Sequence, residues 1–361
     1  MQLAAEHMRQ FNAIVSFCVL LTVVHMKWFL LQTVFAEAVV PPYLPSPVIE
    51  RVTWDFKSLT RTAEDSDLFP LTWADDGHLY TVWGDGWGFR GRTLLQWAGK
   101  KYLGVSRVSG PPTGYGGTDL WSGMGKSHGI IAVDGVLYMI VTEQGNRWSR
   151  AKIGRSTDHG ETWTFNGGTF EEAEWDFQEP GGAFAAACFL QFGKDYQGAR
   201  DHFVYGYNEK VRNTVQPDIV MFRVPKDRIT DRSAYEFFAG LDGSGNPQWT
   251  ADINHMRPVF SNPHGVHWGM QAMYHPVLRR YLLTVRHNES GGWGIYDAPE
   301  PWGPWTTVAY YEDAWIDSTR KLTFSFNQKW MSADGKTLWM VFSGVDIYDS
   351  FNVIKVTLTL S

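Results

Sequence analysis

The chain has 361 residues, of which 44% are hydrophobic, 15% aromatic and only 19% charged. Disordered chains lack aromatics and carry high charge, so disorder is excluded. The net charge of −6 argues against nucleic acid as the main partner, because phosphate binding needs a basic surface. With 36 glycines, 18 tryptophans and few charges, the composition points to many short strands joined by tight turns.

Residues 1–38 read as a targeting segment. Arg9 precedes the apolar run Ala13–Val24, His25 and Lys27 interrupt it, and Trp28–Ala36 resumes it. Ala36-Glu37-Ala38 fits a small-x-small cleavage site, so the segment is expected to be a signal peptide. An uncleaved membrane anchor is the alternative. Either way the remainder is expected to be secreted or periplasmic, and to meet a membrane only through this segment. Cys18 falls within it, which leaves Cys188 as the one thiol of a cleaved chain. Cys188 lies in the run AFAAACFLQF and reads as a buried small hydrophobe. Residues 39–50, rich in proline, read as a linker, and 51–361 as a single domain.

Within that domain one unit recurs: an apolar strand, a tight turn, then a second strand centred on an aromatic. The copies are LTWADDGHLYTVWGD (71–85), IIAVDGVLYMIVTE (130–143), the pair FLQFG and DHFVYGYNE (189–209), MQAMYHPVLRRYLLTVRH (270–287) and KWMSADGKTLWMVFSG (329–344). Their aromatics are Tyr80, Tyr138, Tyr205, Tyr281 and Trp339. Five repeats of strands and turns predict an all-β, five-bladed β-propeller. The C-terminal strand Val353–Leu360 is expected to pair with a strand near Val52–Phe56, which would close the ring and remove an open sheet edge. The segment Ser156–Trp163 reads S-x-D-x-G-x-T-W, the Asp-box pattern, in which Asp158 would accept backbone hydrogen bonds and Gly160 would take positive φ.

Antiparallel pairing brings the start of each innermost strand and the end of the second strand to the same face. That rule collects Asp65, Asp67 and Asp85 from the first unit, and Lys126, His128 and Glu143 from the second. Glu179, Asn208 and Glu209 come from the third, His267, Trp268, Arg286 and His287 from the fourth, and Asn327 and Asp346 from the fifth. Asp75 and Asp76 fall in a turn at the opposite face. Cleaving a glycosidic bond needs two carboxyl groups flanking it. Asp67 and Asp85 are the expected catalytic pair, with Glu143 as an alternative acid. Asp65, Lys126, His128, Glu179, His267, Trp268, Arg286 and His287 are expected to bind substrate, with Trp87 and Trp121 as further stacking faces. No metal-ligating motif is present, and no cofactor is expected beyond an optional structural calcium at the propeller axis.

The motifs DSDLFPLTWADDGHLYTVWGDG (Asp65–Gly86), KSHGI (Lys126–Ile130), PKDRI (Pro225–Ile229), YEFFAGLD (Tyr235–Asp242) and GIYDAPEPWGPWTTV (Gly294–Val308) resemble domain-of-unknown-function family 4185. The repeats and the Asp-box also resemble sialidase-like and glycoside hydrolase family 43-like propellers. The resemblance implies a five-bladed propeller, with an Asp at the position of Asp67 acting as base or nucleophile. The function expected is that of an exported, monomeric glycoside hydrolase acting on a plant, algal or microbial polysaccharide. A lyase using His128, His267 and Arg286, or a glycan-binding propeller without catalysis, are the alternatives.

Overall fold

A computed structural model describes residues 40–91, 101–143, 148–166, 168–211, 216–287, 292–312, 315–317 and 319–361. The targeting segment lies outside the described residues. The chain is all-β, and its few helical turns are short. Among the described residues, no helix is long and apolar enough to cross a membrane.

The long strand β1 (Ile49–Thr62) comes first but pairs last. Strands β2 (Asp67–Trp73), β3 (Leu79–Gly84), β4 (Leu103–Ser109) and β5 (Gly116–Gly123) form one antiparallel sheet. Strands β6 (Lys126–Val133), β7 (Val136–Thr142), β8 (Ala151–Ser156) and β9 (Thr164–Phe165) form the next. A third run follows: β10 (Cys188–Gln191), β11 (Phe203–Glu209), β12 (Gln216–Pro225), β13 (Glu236–Leu241) and β14 (Pro247–Thr250). A fourth comprises β15 (Phe260–His275), β16 (Arg280–Arg286), β17 (Trp293–Ala298) and β18 (Thr306–Tyr311). The third and fourth runs join into one nine-stranded sheet, because β10 lies parallel to β15. Finally β19 (Lys321–Phe326), β20 (Thr337–Gly344) and β21 (Phe351–Leu360) accept β1 on their outer side. Trp54 faces Val356 in that pairing, so the N-terminal strand completes the C-terminal sheet as expected.

Turn chemistry explains the hairpins. Asp134 and Gly135 both take positive φ, +50° and +79°, which is the two-residue turn whose twist matches β6 and β7. The repeated aromatics have a second use beyond packing. Tyr80 donates its hydroxyl to Asp76 in the turn four residues back, at 2.7 Å, and Tyr205 does the same to Asp201, also at 2.7 Å. In the Ser156–Trp163 turn, Asp158 accepts from the Thr162 backbone at 2.9 Å and from the Ser156 hydroxyl at 2.8 Å, while Gly160 has φ +89°. Trp163 is buried and donates back to the Gly160 carbonyl.

Burial falls from the first strand of each run to the last. Strands β2, β3, β6 and β7 are buried along nearly their whole length, whereas β5 is mostly half-exposed. The first strands neighbour one another in the order β2, β6, β10, β15, β19, and β19 returns to β2. Side chains stitch this circuit to backbone groups. Thr72 accepts from the Ala132 backbone, Gln191 donates to the Ile130 carbonyl, Gln271 to the His128 carbonyl, Thr284 to the Phe324 carbonyl and Thr323 to the Leu68 carbonyl.

The proline-rich stretch read as a linker is tied down. Leu44 and Ser46 exchange backbone hydrogen bonds with Thr307 of β18, and Tyr43 packs against Phe260 and Tyr296. Its aromatic ring and its bridge to β18 make it part of the domain.

Candidate active site

Four of the five first strands lose their regular register, three of them close to the strand start and β15 near its middle. The irregularities fall between Leu68 and Leu71 in β2, Ser127 and Gly129 in β6, His267 and Gln271 in β15, and Lys321 and Thr323 in β19. A bulge breaks the strict alternation of side chains and re-aims them, which is why bulges gather beside functional sites. Here the bulged stretches surround one cavity of 530 Å³. Asp67 and Leu68, Lys126 and His128, Trp268, and Arg320 and Leu322 line it from these strands. Asp85, Trp148, Asp346 and Asp349 complete the polar and aromatic wall.

The backbone beside Asp67 is strained. Leu68 and Phe69 have φ of +80° and +62°, a region that costs apolar L-residues about 1 kcal/mol or more each. The surrounding strands hold them there. Ser343 of β20 accepts from the Leu68 N–H at 3.0 Å, and Thr323 of β19 donates to the Leu68 carbonyl. Asp85 also has positive φ, +50°, between Gly84 and Gly86. Gly84 is required by space: a Cβ there would lie 2.6 Å from Asp67 Oδ1 and 3.1 Å from Lys126 Nζ.

Lys126 joins the two aspartates. Its Nζ donates to Asp67 at 3.2 Å (Oδ2) and 3.3 Å (Oδ1) and to Asp85 Oδ2 at 2.5 Å. One ammonium shared in this way keeps the nearest oxygens of the two carboxylates no more than about 6 Å apart, an upper bound below the separation of about 6.5–9.5 Å used by inverting glycosidases. Burial alone would lower the pKa of this ammonium, but the charges of Asp67 and Asp85 and their hydrogen bonds outweigh it and raise the pKa above the ordinary lysine value. The two acids differ in access: the Asp67 side chain is 12% exposed and that of Asp85 46%. His128 is buried with its ring 5.2 Å from that of Trp268, and the Arg286 guanidinium lies 4.9 Å from the Trp268 ring.

Of the residues expected at the site, Asp67, Asp85, Lys126, His128 and Trp268 meet at this cavity. Asp346, collected from the fifth unit, joins them. Glu143 is ion-paired with Arg150, which donates from both Nε and Nη2. Glu179 is likewise held by Arg232. Neither glutamate is among the lining residues, because each is turned to its own guanidinium. Asp65 occupies the turn before β2 with φ +64° and does not line the cavity either. His267 is buried opposite Arg286 in the β15–β16 register. His287 is fully buried and stacked on Tyr310 at 4.3 Å, and burial pushes its pKa down to about 4. Trp121 packs on Trp163 in the core, and Trp87 is not among the lining residues.

Arg320, Asp349 and Trp148 were not singled out from the sequence. Arg320 immediately precedes β19, well ahead of the recurring unit read at 329–344. Asp349 follows a short turn after β20, and Trp148 lies on the loop between β7 and β8. The register irregularity next to Arg320 is a backbone property with no residue signature in the chain.

The fold is similar to that of a Bacteroides ovatus protein provisionally named a hydrolase, with 10% identity over 89% of this chain and 97% of that one and a TM-score of 0.51. A GH43_1 enzyme from Xanthomonas citri aligns at 14% identity over 84% of this chain and 92% of its own, with a TM-score of 0.45. A GH43 β-xylosidase/α-arabinofuranosidase from a compost microbial metagenome, solved with xylotriose, aligns at 13% identity over 86% and 98%, with a TM-score of 0.48. No curated protein matches the sequence. Residues 128–350, more than half of the chain, match the family described as "Domain of unknown function (DUF4185)", and the chain belongs to that family.

Proposed function

We propose that this chain is an exported five-bladed propeller that hydrolyses glycosidic bonds in a polysaccharide at the cavity ringed by its first strands. The closed circuit of β2, β6, β10, β15 and β19 supports the blade count. The observation that carries the chemistry is the pairing of Asp67 and Asp85 across a shared lysine at the wall of a 530 Å³ cavity. Asp67, the more buried of the two, is the base or nucleophile that works at the anomeric carbon. Asp85, open to the cavity, serves the leaving oxygen. Trp268 and Trp148 supply flat apolar faces for sugar rings, and His128 and Arg320 supply donors to hydroxyls. The hydrolase name of the Bacteroides ovatus protein of similar fold agrees with this reading.

The test is a screen of the mature protein on plant, algal and microbial polysaccharides. New reducing ends without unsaturated products are expected. Unsaturated uronates would select elimination by a histidine instead. Oligosaccharide binding without turnover would make the cavity a recognition site.

A further inference from the structure

The space between Asp67 and Asp85 is a cation site, and it is filled by the chain itself. Lys126 starts β6, so its side chain reaches out of the neighbouring sheet toward the two acids of the first. Its three donors meet three carboxylate oxygens at 3.3, 3.2 and 2.5 Å. Gly84 leaves the gap into which the ammonium and Asp67 fit, since any side chain there would strike both. Two carboxylates at this distance repel when nothing lies between them. We propose that Lys126 is the built-in cation of the carboxylate pair: it takes the place a metal ion would occupy, and it positions Asp67 and Asp85 before substrate arrives. Lys126 is therefore a positioning residue and not a substrate ligand.

Other charged groups surround the pair. His128 stands on the same strand as Lys126 and lies against Trp268. Arg320 comes from ahead of β19, and Asp346 and Asp349 come from beyond β20 and add negative charge. From the fourth run the cavity receives Trp268, with Arg286 against its ring.

The inference deepens the hydrolase reading, but its test needs no substrate. Lys126→Ala removes the equivalent of propylammonium, so propylammonium chloride is the probe. Calorimetry should find saturable one-to-one binding to K126A and none to the wild type. Adding Asp67→Asn to K126A should weaken that binding at least about tenfold, as expected when one of two charged partners is lost. Tetramethylammonium, which carries charge but no N–H, should not substitute. If K126A does not melt cooperatively by itself, propylammonium and not tetramethylammonium should restore the transition. A folded K126A that ignores propylammonium, binding that survives Asp67→Asn, or calcium binding by the wild type that Asp67→Asn abolishes would each overturn the proposal. Failure of every polysaccharide on the panel would sink the hydrolase and leave the amine result standing.

Discussion

Two pairs of acids that the strand-end rule collects end in opposite situations. Asp67 and Asp85 share one lysine and face a cavity. Glu143 and Glu179 each have a private arginine, Arg150 and Arg232. A shared cation leaves each carboxylate with acceptor capacity for a ligand and forces the two to be close. An arginine that pairs with a single glutamate holds that acid away from the cavity and brings no second carboxylate to it. Topology therefore brings an acid to the rim, and its counter-ion decides whether it is available for chemistry.

The comparison breaks first if the wrong pair controls turnover. On whichever polysaccharide the wild type cleaves, Asp67→Asn and Asp85→Asn should each lower kcat by about 10³-fold, the scale of losing a positioned acid or base. Glu143→Gln and Glu179→Gln should stay within about threefold, because neither faces the reacting bond. Equal losses in both pairs would erase the distinction. A smaller effect tests how tightly the shared site is built. Gly84→Ala puts a Cβ 2.6 Å from Asp67 Oδ1, so activity should fall by about 10²-fold, the scale of a displacement near 1 Å. A crystal structure of that variant should show Asp67 or Lys126 moved.

The remaining two effects fall on stability. Thr323→Val removes one of the two hydroxyls that donate to the Leu68 carbonyl beside Asp67, leaving Ser343, and should cost about 1 kcal/mol in urea unfolding. His287, a rim candidate that proved buried, offers a pH test. Its pKa is pushed down to about 4 by burial, so the unfolded chain binds a proton that the folded chain refuses between there and the ordinary value of about 6.5. Stability should decline as pH drops through that window, and His287→Gln should flatten the decline in a series of melting temperatures.

Much of this was legible in the chain. Hairpins could be read from their turns and aromatics in the first, second and fourth units, and the β1–β21 closure from the two terminal strands. The fifth unit as read starts at Lys329, after its actual first strand β19 (Lys321–Phe326) has ended. The strand-end rule placed Asp67, Asp85, Lys126, His128 and Trp268 together. It erred where a side chain had a partner the rule does not consider. Arg150 is close in sequence to Glu143, but Arg232 reaches Glu179 from 53 residues away. Tyr310 covers His287 from a strand two places along the sheet. The bulges that build the cavity were also hidden, because a slipped register depends on pairing across strands. Composition made residues 39–50 look like a linker, while Tyr43 shows that a single aromatic can dock such a stretch.

The bond to be cut is held to lie over the Lys126-bridged Asp67–Asp85 pair, on its cavity side. The most direct measurement is a crystal structure of the Asp85→Asn protein soaked with an oligosaccharide of the cleaved polymer. A glycosidic oxygen is expected within hydrogen-bond reach of residue 85, with an anomeric carbon facing Asp67 and a sugar ring against Trp268. A sugar bound with its linkages away from both aspartates would contradict that placement.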